Sequence, residues 1–189
     1  MKTGWIGILG VLVLVLLAFP AAATVSTAST SALQVTVNTP DEVKTNALNY
    51  ITITFENKAS YPVSARVVVK PSYFAIAPEW VQGVNAMKTG SGVTFTLFDI
   101  APGEKKTVKI VIPGSVLEGL KGKVQLIGGV ECYPFTSGME YGIAPKNLNA
   151  LSVSPAESFI VYESPLEAIF PVALVVLGIV LVVVAGRVR

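Results

Sequence analysis

The residue types that carry most enzyme chemistry are scarce in this sequence of 189 residues, which has one cysteine, Cys132, and no histidine. Without an imidazole, neither a histidine-based catalytic dyad nor an imidazole-type metal site can be built. A serine nucleophile would need a lysine as its base, and no spacing pairs a particular serine with a particular lysine. We therefore predict no catalytic residue, no cofactor-binding residue and no metal ligand, and we expect a protein that is not an enzyme.

The remaining motifs with chemical potential favour structural roles. The adjacent carboxylates Asp41 and Glu42 are interpreted as solvated turn residues rather than a glycosidase couple. The segments "TSGME" and "GSG" are interpreted as glycine turns, since neither follows a strand and opens a helix as a phosphate-binding loop does. No small-molecule substrate is evident. Cys132 is predicted to be a buried thiol, with an intermolecular disulfide as the alternative. An enzyme would need a perturbed carboxylate or a reactive Cys132 in a cleft.

Aromatic residues and methionine occur in two segments predicted to connect strands, "PSYFAIAPEW" and "ECYPFTSGMEYG". Such side chains bury large areas at low entropic cost, so they often anchor protein interfaces. Contact with a partner protein is predicted for Tyr73, Phe74, Tyr133, Phe135, Met139 and Tyr141. The alternative is that these residues fold back to close the open ends of the domain, and Trp80 in particular suits the core.

Alternation of apolar and polar residues predicts the strands that must hold these segments. In "YITITFEN", Ile51, Ile53 and Phe55 face one way while the threonines face the other, and "VSARVVVK", "VTFTLFDI" and "KKTVKIVI" repeat this pattern. Further strands are expected near residues 33–37, 122–130 and 157–163. About seven short strands separated by Gly and Pro turns predict an all-β fold, a single antiparallel β-sandwich over residues 33–163.

The connecting regions carry weaker signals. Residues 24–32, "TVSTASTSA", have no apolar periodicity and are predicted to be a flexible lead-in. The segment "APEWVQGVNAMK" has room for one or two helical turns at most. Together with "LQVTV", the lead-in could also donate an edge strand to a neighbouring copy, because open sheet edges invite pairing.

The stretch "ITITFENKASYPVSARVVVKPS", followed by "LFDIAPGEKKTVKIVIPG", resembles the immunoglobulin-like domains of prokaryotic, including archaeal, cell-surface proteins of the CARDB type. The matching positions are Asn57, Ile100, Pro102, Gly103 and Glu104. The resemblance covers about residues 33–113 and implies an immunoglobulin-like sandwich that acts as a spacer or adhesion module on the cell surface. Residues 71–92 are longer than a tight connection, and residues 131–156 have no counterpart in that pattern.

The mechanics of "APGE" do not depend on the resemblance. Pro102 presets φ for the first corner of a turn, and Gly103 permits a left-handed second corner. Glu104 then re-enters the following strand.

The C-terminal region predicts a membrane anchor. Residues 168–186 carry no charge, and as a helix they would span about 28 Å, close to the ~30 Å hydrocarbon core of a bilayer. Arg187 and Arg189 follow at once and are predicted to stop the helix on the cytoplasmic side. We therefore expect a transmembrane helix over residues 164–186, a cytoplasmic tail over 187–189, and a single-pass cell-membrane protein with its domain outside.

The N-terminal region predicts a signal peptide over residues 1–23. Lys2 precedes an apolar stretch from Trp5 to Phe19, and small residues lead to a cleavage site after Ala23. The alternative is an uncleaved second anchor, whose Lys2 would share the cytoplasmic side with the terminal arginines.

The expected function follows from this topology. We predict a membrane-anchored surface protein whose β-sandwich makes structural or adhesive contacts with other envelope or membrane proteins, including copies of itself. The alternative is an accessory subunit of a larger membrane complex, such as a transporter or secretion machinery. Eleven of the fourteen basic residues lie in the exterior portion with all twelve acidic ones, so no basic face calls for nucleic acid.

Overall fold

The computed structural model describes residues 23–136 and 146–162. In these ranges the chain forms short strands with two 3-10 turns, at Pro78–Trp80 and Gly114–Leu117. The strands are β1 (Ala23–Ser29), β2 (Leu33–Pro40), β3 (Glu42–Lys44), β4 (Leu48–Asn57), β5 (Val63–Lys70), β6 (Val81–Gln82), β7 (Met87–Thr89), β8 (Gly92–Ile100), β9 (Lys105–Pro113), β10 (Lys123–Val124), β11 (Gly129–Thr136), β12 (Lys146–Asn147), β13 (Leu151–Val153) and β14 (Ser158–Val161).

Several predicted features lie outside the described residues. They are most of the signal peptide, the transmembrane helix, the cytoplasmic tail, and the site residues Met139, Tyr141, Arg187 and Arg189. Within residues 23–136 and 146–162, no helix has the length and apolarity needed to cross a bilayer.

The strands assemble into three sheets. One large sheet has the order β1-β2-β4-β9-β6, and the other has the order β12-β11-β5-β8-β7 with β13 also paired to β11. A small third sheet, β10-β14-β3, contains the one parallel pair of the described strands, β14 with β3. The predicted all-β class with antiparallel sheets is confirmed, and this parallel pair is the departure from it.

Alternating side chains build the core between the two large sheets. Ile51, Ile53 and Phe55 of β4 are fully buried, whereas the threonines between them are only partly covered. Phe55 meets Phe95 of β8 edge to face, with ring centroids 6.3 Å apart. Since these rings belong to different large sheets, the two sheets face each other as a β-sandwich.

The "APGE" turn closes one end of the sandwich as its residue types predict. Gly103 adopts a left-handed φ of 75°, and its N–H donates to the Asn57 carbonyl at 3.0 Å. The buried Asn57 amide donates to the carbonyls of Ile100 (2.7 Å) and Tyr61 (2.8 Å), and its side-chain oxygen accepts from Ala59 N–H at 2.8 Å. One side chain thus ties the end of β4 to the turn between β8 and β9.

The predicted flexible lead-in over residues 24–32 is wrong for most of its length. Residues 23–29 form β1, which pairs antiparallel with β2 from Ala23–Pro40 to Ser29–Gln34. An edge strand needs few apolar side chains because its backbone hydrogen bonds hold it; only Ala28 of β1 packs against the core. In the described chain both β1 and β2 therefore pair internally.

The predicted single strand over residues 122–130 is wrong as well. The structure divides it into β10 and β11, and β11 continues to Thr136. Leu126 and Ile127 are consecutive and both fully buried, which breaks the alternation that a strand requires. Gly128 sits so close to Pro71 that a Cβ atom would lie 2.2 Å from the Pro71 carbonyl oxygen.

The expected helical turn near residue 80 is present as the 3-10 turn Pro78–Trp80.

Candidate functional site

The outer face of β11 carries charged and aromatic side chains. Alternation buries Cys132 and turns Tyr133 and Phe135 outward. β11 pairs with β5 on one side and with β12 and β13 on the other, so these rings stand on a surface supported by paired strands. The register places Arg66 directly opposite Tyr133. We call this surface, formed by Arg66, Lys70, Glu131, Tyr133 and Phe135, the β11 face.

A line of polar contacts fixes the Tyr133 ring. The Lys70 ammonium lies 2.5 Å from one oxygen of Glu131, and the Tyr133 hydroxyl donates to the other at 3.0 Å. The Arg66 guanidinium carbon stands 5.3 Å from the centroid of the Tyr133 ring, within range of a cation–π contact. The ring is thus held between a cation on its face and a carboxylate at its hydroxyl, while it remains 38% exposed.

These contacts favour the charged forms of Glu131 and Lys70 and the neutral form of Tyr133. The hydrogen bond from Lys70, and next the one from Tyr133, lowers the pKa of Glu131 below its usual value. The hydrogen bond between Lys70 and Glu131 also raises the pKa of Lys70. The hydrogen bond from the Tyr133 hydroxyl to Glu131 raises the pKa of Tyr133. At neutral pH the pair is therefore charged, and Tyr133 is a neutral donor to the carboxylate.

A cavity of about 410 Å³ opens beside Tyr133 on this face. Its described lining residues are Arg66, Tyr133, Pro134, Phe135, Asn147 and Leu148. The lining combines two aromatic rings with a guanidinium and a carboxamide, which suit apolar contact together with hydrogen bonds to peptide or hydroxyl groups.

The structure separates the residues predicted to contact a partner. Tyr133 and Phe135 meet in the cavity on the β11 face. Tyr73 is 68% exposed on the loop after β5. Phe74 is partly buried and packs against the core beside Trp80, with ring centroids 6.3 Å apart. Phe74 and Trp80 therefore adopt the core-packing alternative.

Sequence reasoning missed Arg66 and Asn147 as members of the cavity. Both reach it only through strand register: Arg66 lies opposite Tyr133, and Asn147 lies opposite Phe135. The single cation within "VSARVVVK" marks an outward position, but no local pattern indicates which aromatic residue it faces.

Phe98 is exposed because the alternation along β8 buries Phe95 and Leu97 and turns Phe98 outward. The pairing of β5 with β8 shifts between Val63 and Ala65, and Asp99 takes a left-handed φ of 48° there. The Ser64 hydroxyl accepts from the Asp99 N–H at 3.0 Å and so supports this bulge. Phe98 is 63% exposed beside the bulge. The bulge exposes the next residue, Asp99, as well and returns Ile100 to the core.

Other potential chemistry in the described chain is limited. Cys132 is fully buried, and burial raises the pKa of its thiol to about 12, so the predicted buried thiol is confirmed. Among residues 23–136 and 146–162, no three His, Cys, Asp or Glu side chains come close enough together to hold a metal ion.

Neither a protein-family model nor a curated protein matches the sequence. Similar solved structures include the CARDB domain of a Pyrococcus furiosus protein in complex with di-metal ions, at 17% identity over 72% of this chain and 100% of that one, with a TM-score of 0.38. A cohesin module of a family 33 glycoside hydrolase from Clostridium perfringens is 13% identical over 71% of this chain and 100% of its own, with a TM-score of 0.42.

A GH20 exo-β-N-acetylglucosaminidase from Vibrio harveyi is 12% identical over 71% of this chain, with a TM-score of 0.41. The match spans only 19% of that enzyme's length. No functional inference follows from similarities this weak.

Proposed function

We propose that this chain is a non-enzymatic, membrane-anchored surface protein whose immunoglobulin-like β-sandwich makes protein–protein contacts in the cell envelope through the β11 face. The observation that carries the contact site is Tyr133, held outward by Arg66 and Glu131 beside a cavity that Phe135 also lines. The anchor is supported by the uncharged run 168–186 and the arginines that follow it.

The chemistry of the β11 face suits a protein partner. Tyr and Arg are enriched among the residues that dominate interface energies, because they bury large areas and keep polar groups for hydrogen bonding. Glu131 and Arg66 hold the Tyr133 ring before any partner arrives. Association therefore costs less side-chain entropy than it would with a freely rotating ring.

The cavity gives the partner a place for an apolar anchor. It lies beside the hairpin between β11 and β12, where Leu148 N–H donates to the Pro134 carbonyl at 2.9 Å. A partner side chain that enters it would contact the Phe135 ring and could accept hydrogen bonds from Arg66 or Asn147. A partner side chain that fills this cavity would displace water from it, which strengthens the polar interactions at its rim.

The first experiment is extraction of the full chain from its own membranes in a mild detergent, with measurement of native mass and intact mass. A complex with other envelope proteins or with further copies is expected. A chain that starts near Thr24 would support cleavage of the signal peptide. Recovery as a stoichiometric subunit of a large transporter or secretion assembly would instead favour the accessory-subunit alternative.

A variant series tests the contact surface itself. We expect Tyr133→Ala to weaken the association by about tenfold or more, equivalent to at least about 1.4 kcal/mol. The matched control is Tyr73→Ala, which removes a more exposed tyrosine from a different loop and should leave the association unchanged. Equal effects of the two variants, or a partner complex that survives Tyr133→Ala, would remove the β11 face from the proposal.

A further inference from the structure

The small sheet β10-β14-β3 lies across one end of the sandwich. β3 lies in the chain between the end of β2 at Pro40 and the start of β4 at Leu48. It therefore lies at the end of the sandwich where β2 ends and β4 begins. Val43 of β3 and Val124 of β10 are buried in the main core, and Ile160 of β14 packs against it. This end sheet therefore turns one surface toward the core and the other toward solvent.

Both ends of the described chain lie at this end of the sandwich. Ala23 at the start of β1 pairs with Pro40, and the Pro40 carbonyl accepts a hydrogen bond from the Ser158 hydroxyl at 2.6 Å. The Phe159 N–H donates to the Asp41 carbonyl at 2.7 Å. The described chain then ends at Tyr162, so the apolar segments before β1 and after β14 attach to the same pole of the domain.

The solvent-facing surface of the end sheet is aromatic and basic. Phe159 is 53% exposed, lies opposite Lys123 in β10, and has the Lys123 ammonium 4.9 Å from its ring centroid. In the next row Val161 pairs with Lys44. Tyr162 is 46% exposed at the rim, with its hydroxyl hydrogen-bonded to the Leu120 carbonyl. We call these five residues, Lys44, Lys123, Phe159, Val161 and Tyr162, the exit face.

The sequence limits how far the exit face can lie from a membrane. Five residues, 163–167, separate Tyr162 from the uncharged run that begins at Ala168. Five residues reach at most about 18 Å when fully extended. β4 has ten residues and is about 33 Å long at the usual rise, so the "APGE" turn at its far end stands well away from this pole.

We propose that the exit face rests on the surface of the lipid bilayer, with Phe159 and Tyr162 at the level of the headgroups and the ammonium group of Lys123 toward lipid phosphates. Aromatic rings and lysines with long apolar stems are the side chains that favour this interface. Glu42 stands opposite Phe159 on the same surface and offsets part of the positive charge. Aromatic insertion therefore dominates over attraction to anionic lipid.

This inference rests on the membrane anchor of the proposed function and predicts more than the anchor does. An anchor alone allows the domain to tumble above the bilayer on its short connection. Contact through the exit face instead holds the sandwich in one orientation, with its long axis pointing away from the membrane. The β11 face then stands along the side of the sandwich, open to a neighbouring envelope protein.

The test uses the full chain in vesicles of phosphatidylcholine, with a Val161→Cys variant labelled by an environment-sensitive fluorophore. Val161 lies on the exit face, and its replacement keeps both aromatic rings. The matched control is Pro102→Cys, labelled in the same way on the "APGE" turn. Native Cys132 is buried with a thiol pKa of about 12, so labelling stays on the introduced cysteine. Quenching by a lipid that carries a spin label at its headgroup is expected to be several times as strong for Val161→Cys as for Pro102→Cys. Glu42→Cys, on the same surface, repeats the measurement if Val161→Cys fails to fold.

Flotation of the same vesicles distinguishes the two proposals. Protein that floats with the lipid while both labels are quenched equally weakly would overturn the exit-face contact and leave the anchor standing. Protein that does not float would overturn the anchor and the exit-face contact together. Replacement of part of the phosphatidylcholine by phosphatidylglycerol is expected to change the quenching little; quenching that requires the anionic lipid would overturn the dominant role of the aromatic rings.

Discussion

Phe55 in β4 and Phe95 in β8 meet at 88° across the core, and this edge-to-face contact joins the two large sheets. Both rings are essentially fully buried. Phe95→Ala should leave a cavity between the sheets and lower the free energy of unfolding by about 3–5 kcal/mol. Denaturant unfolding of the detergent-solubilised chain measures this loss, and Phe98→Ala, which removes a largely exposed ring from the same strand, is the control. Similar losses for both variants would contradict a core role for this ring pair.

Asn57 should be among the most sensitive polar residues of the domain. Its buried side chain satisfies the carbonyls of Ile100 and Tyr61 and the N–H of Ala59. Because Asn57→Ala leaves these groups without their hydrogen-bond partner, we expect a loss of about 2–4 kcal/mol in the free energy of unfolding. Asn38→Ala, on the exposed face of β2, should cost far less. A small effect of Asn57→Ala in the same unfolding measurement would show that water replaces the side chain in the turn.

The Cys132 thiol should be unreactive in the folded protein. Burial raises its pKa from 9.0 to about 12, so almost no thiolate forms near neutral pH. Reaction with iodoacetamide should be very slow in the native state and rapid after denaturation. Above pH 9.0 the unfolded chain loses the proton while the folded chain keeps it, so Cys132 makes stability fall with rising pH, and Cys132→Ala should remove that dependence. Fast labelling of the native chain would contradict the burial.

The Lys70–Glu131 pair should give the β11 face a measurable pH dependence. The lowered pKa of Glu131 means that its contribution is present above the ordinary value of 4.5 and is lost as the pH falls through the native pKa. The raised pKa of Lys70 means that its contribution is present below 10.5 and is lost as the pH rises through the native value. Glu131→Gln should therefore lower Tm modestly at neutral pH, with the wild-type and variant curves converging in acid. A Tm difference that does not change with pH would contradict the ion pair; the exposed Glu118→Gln is the control.

Two glycines should respond to alanine for different reasons. A Cβ at Gly114 would lie 2.4–2.6 Å from the carbonyl oxygens of Lys44, Thr45 and Ala47, so Gly114→Ala must move backbone and should cost about 3–5 kcal/mol. Gly119 has open space but a φ of +84°, so Gly119→Ala should cost only about 1–2 kcal/mol. Thermal unfolding of the two variants gives the comparison. The reverse order would show that the chain near Gly114 yields easily.

The sequence by itself determined the all-β class and most of the long strands. Period-two alternation in β4, β5, β8 and β9 requires one buried face on each strand, and this requirement acts locally. The corner at Gly103 was predictable for the same reason, since a left-handed residue in a tight turn favours glycine whatever surrounds it. The absence of histidine from the sequence is enough to exclude imidazole chemistry, however the chain folds.

Only the tertiary structure decided how the strands are arranged and what they bring together. Arg66 faces Tyr133 because β5 and β11 pair in one register, although they are far apart in sequence. Ala23 and Tyr162 reach the same end of the sandwich through β1–β2 pairing and the end sheet. β1 forms because the edge of β2 supplies hydrogen-bond partners, which no local pattern of side chains can indicate. Alternation specifies which face of a strand is buried, but pairing between distant strands determines which residues become neighbours.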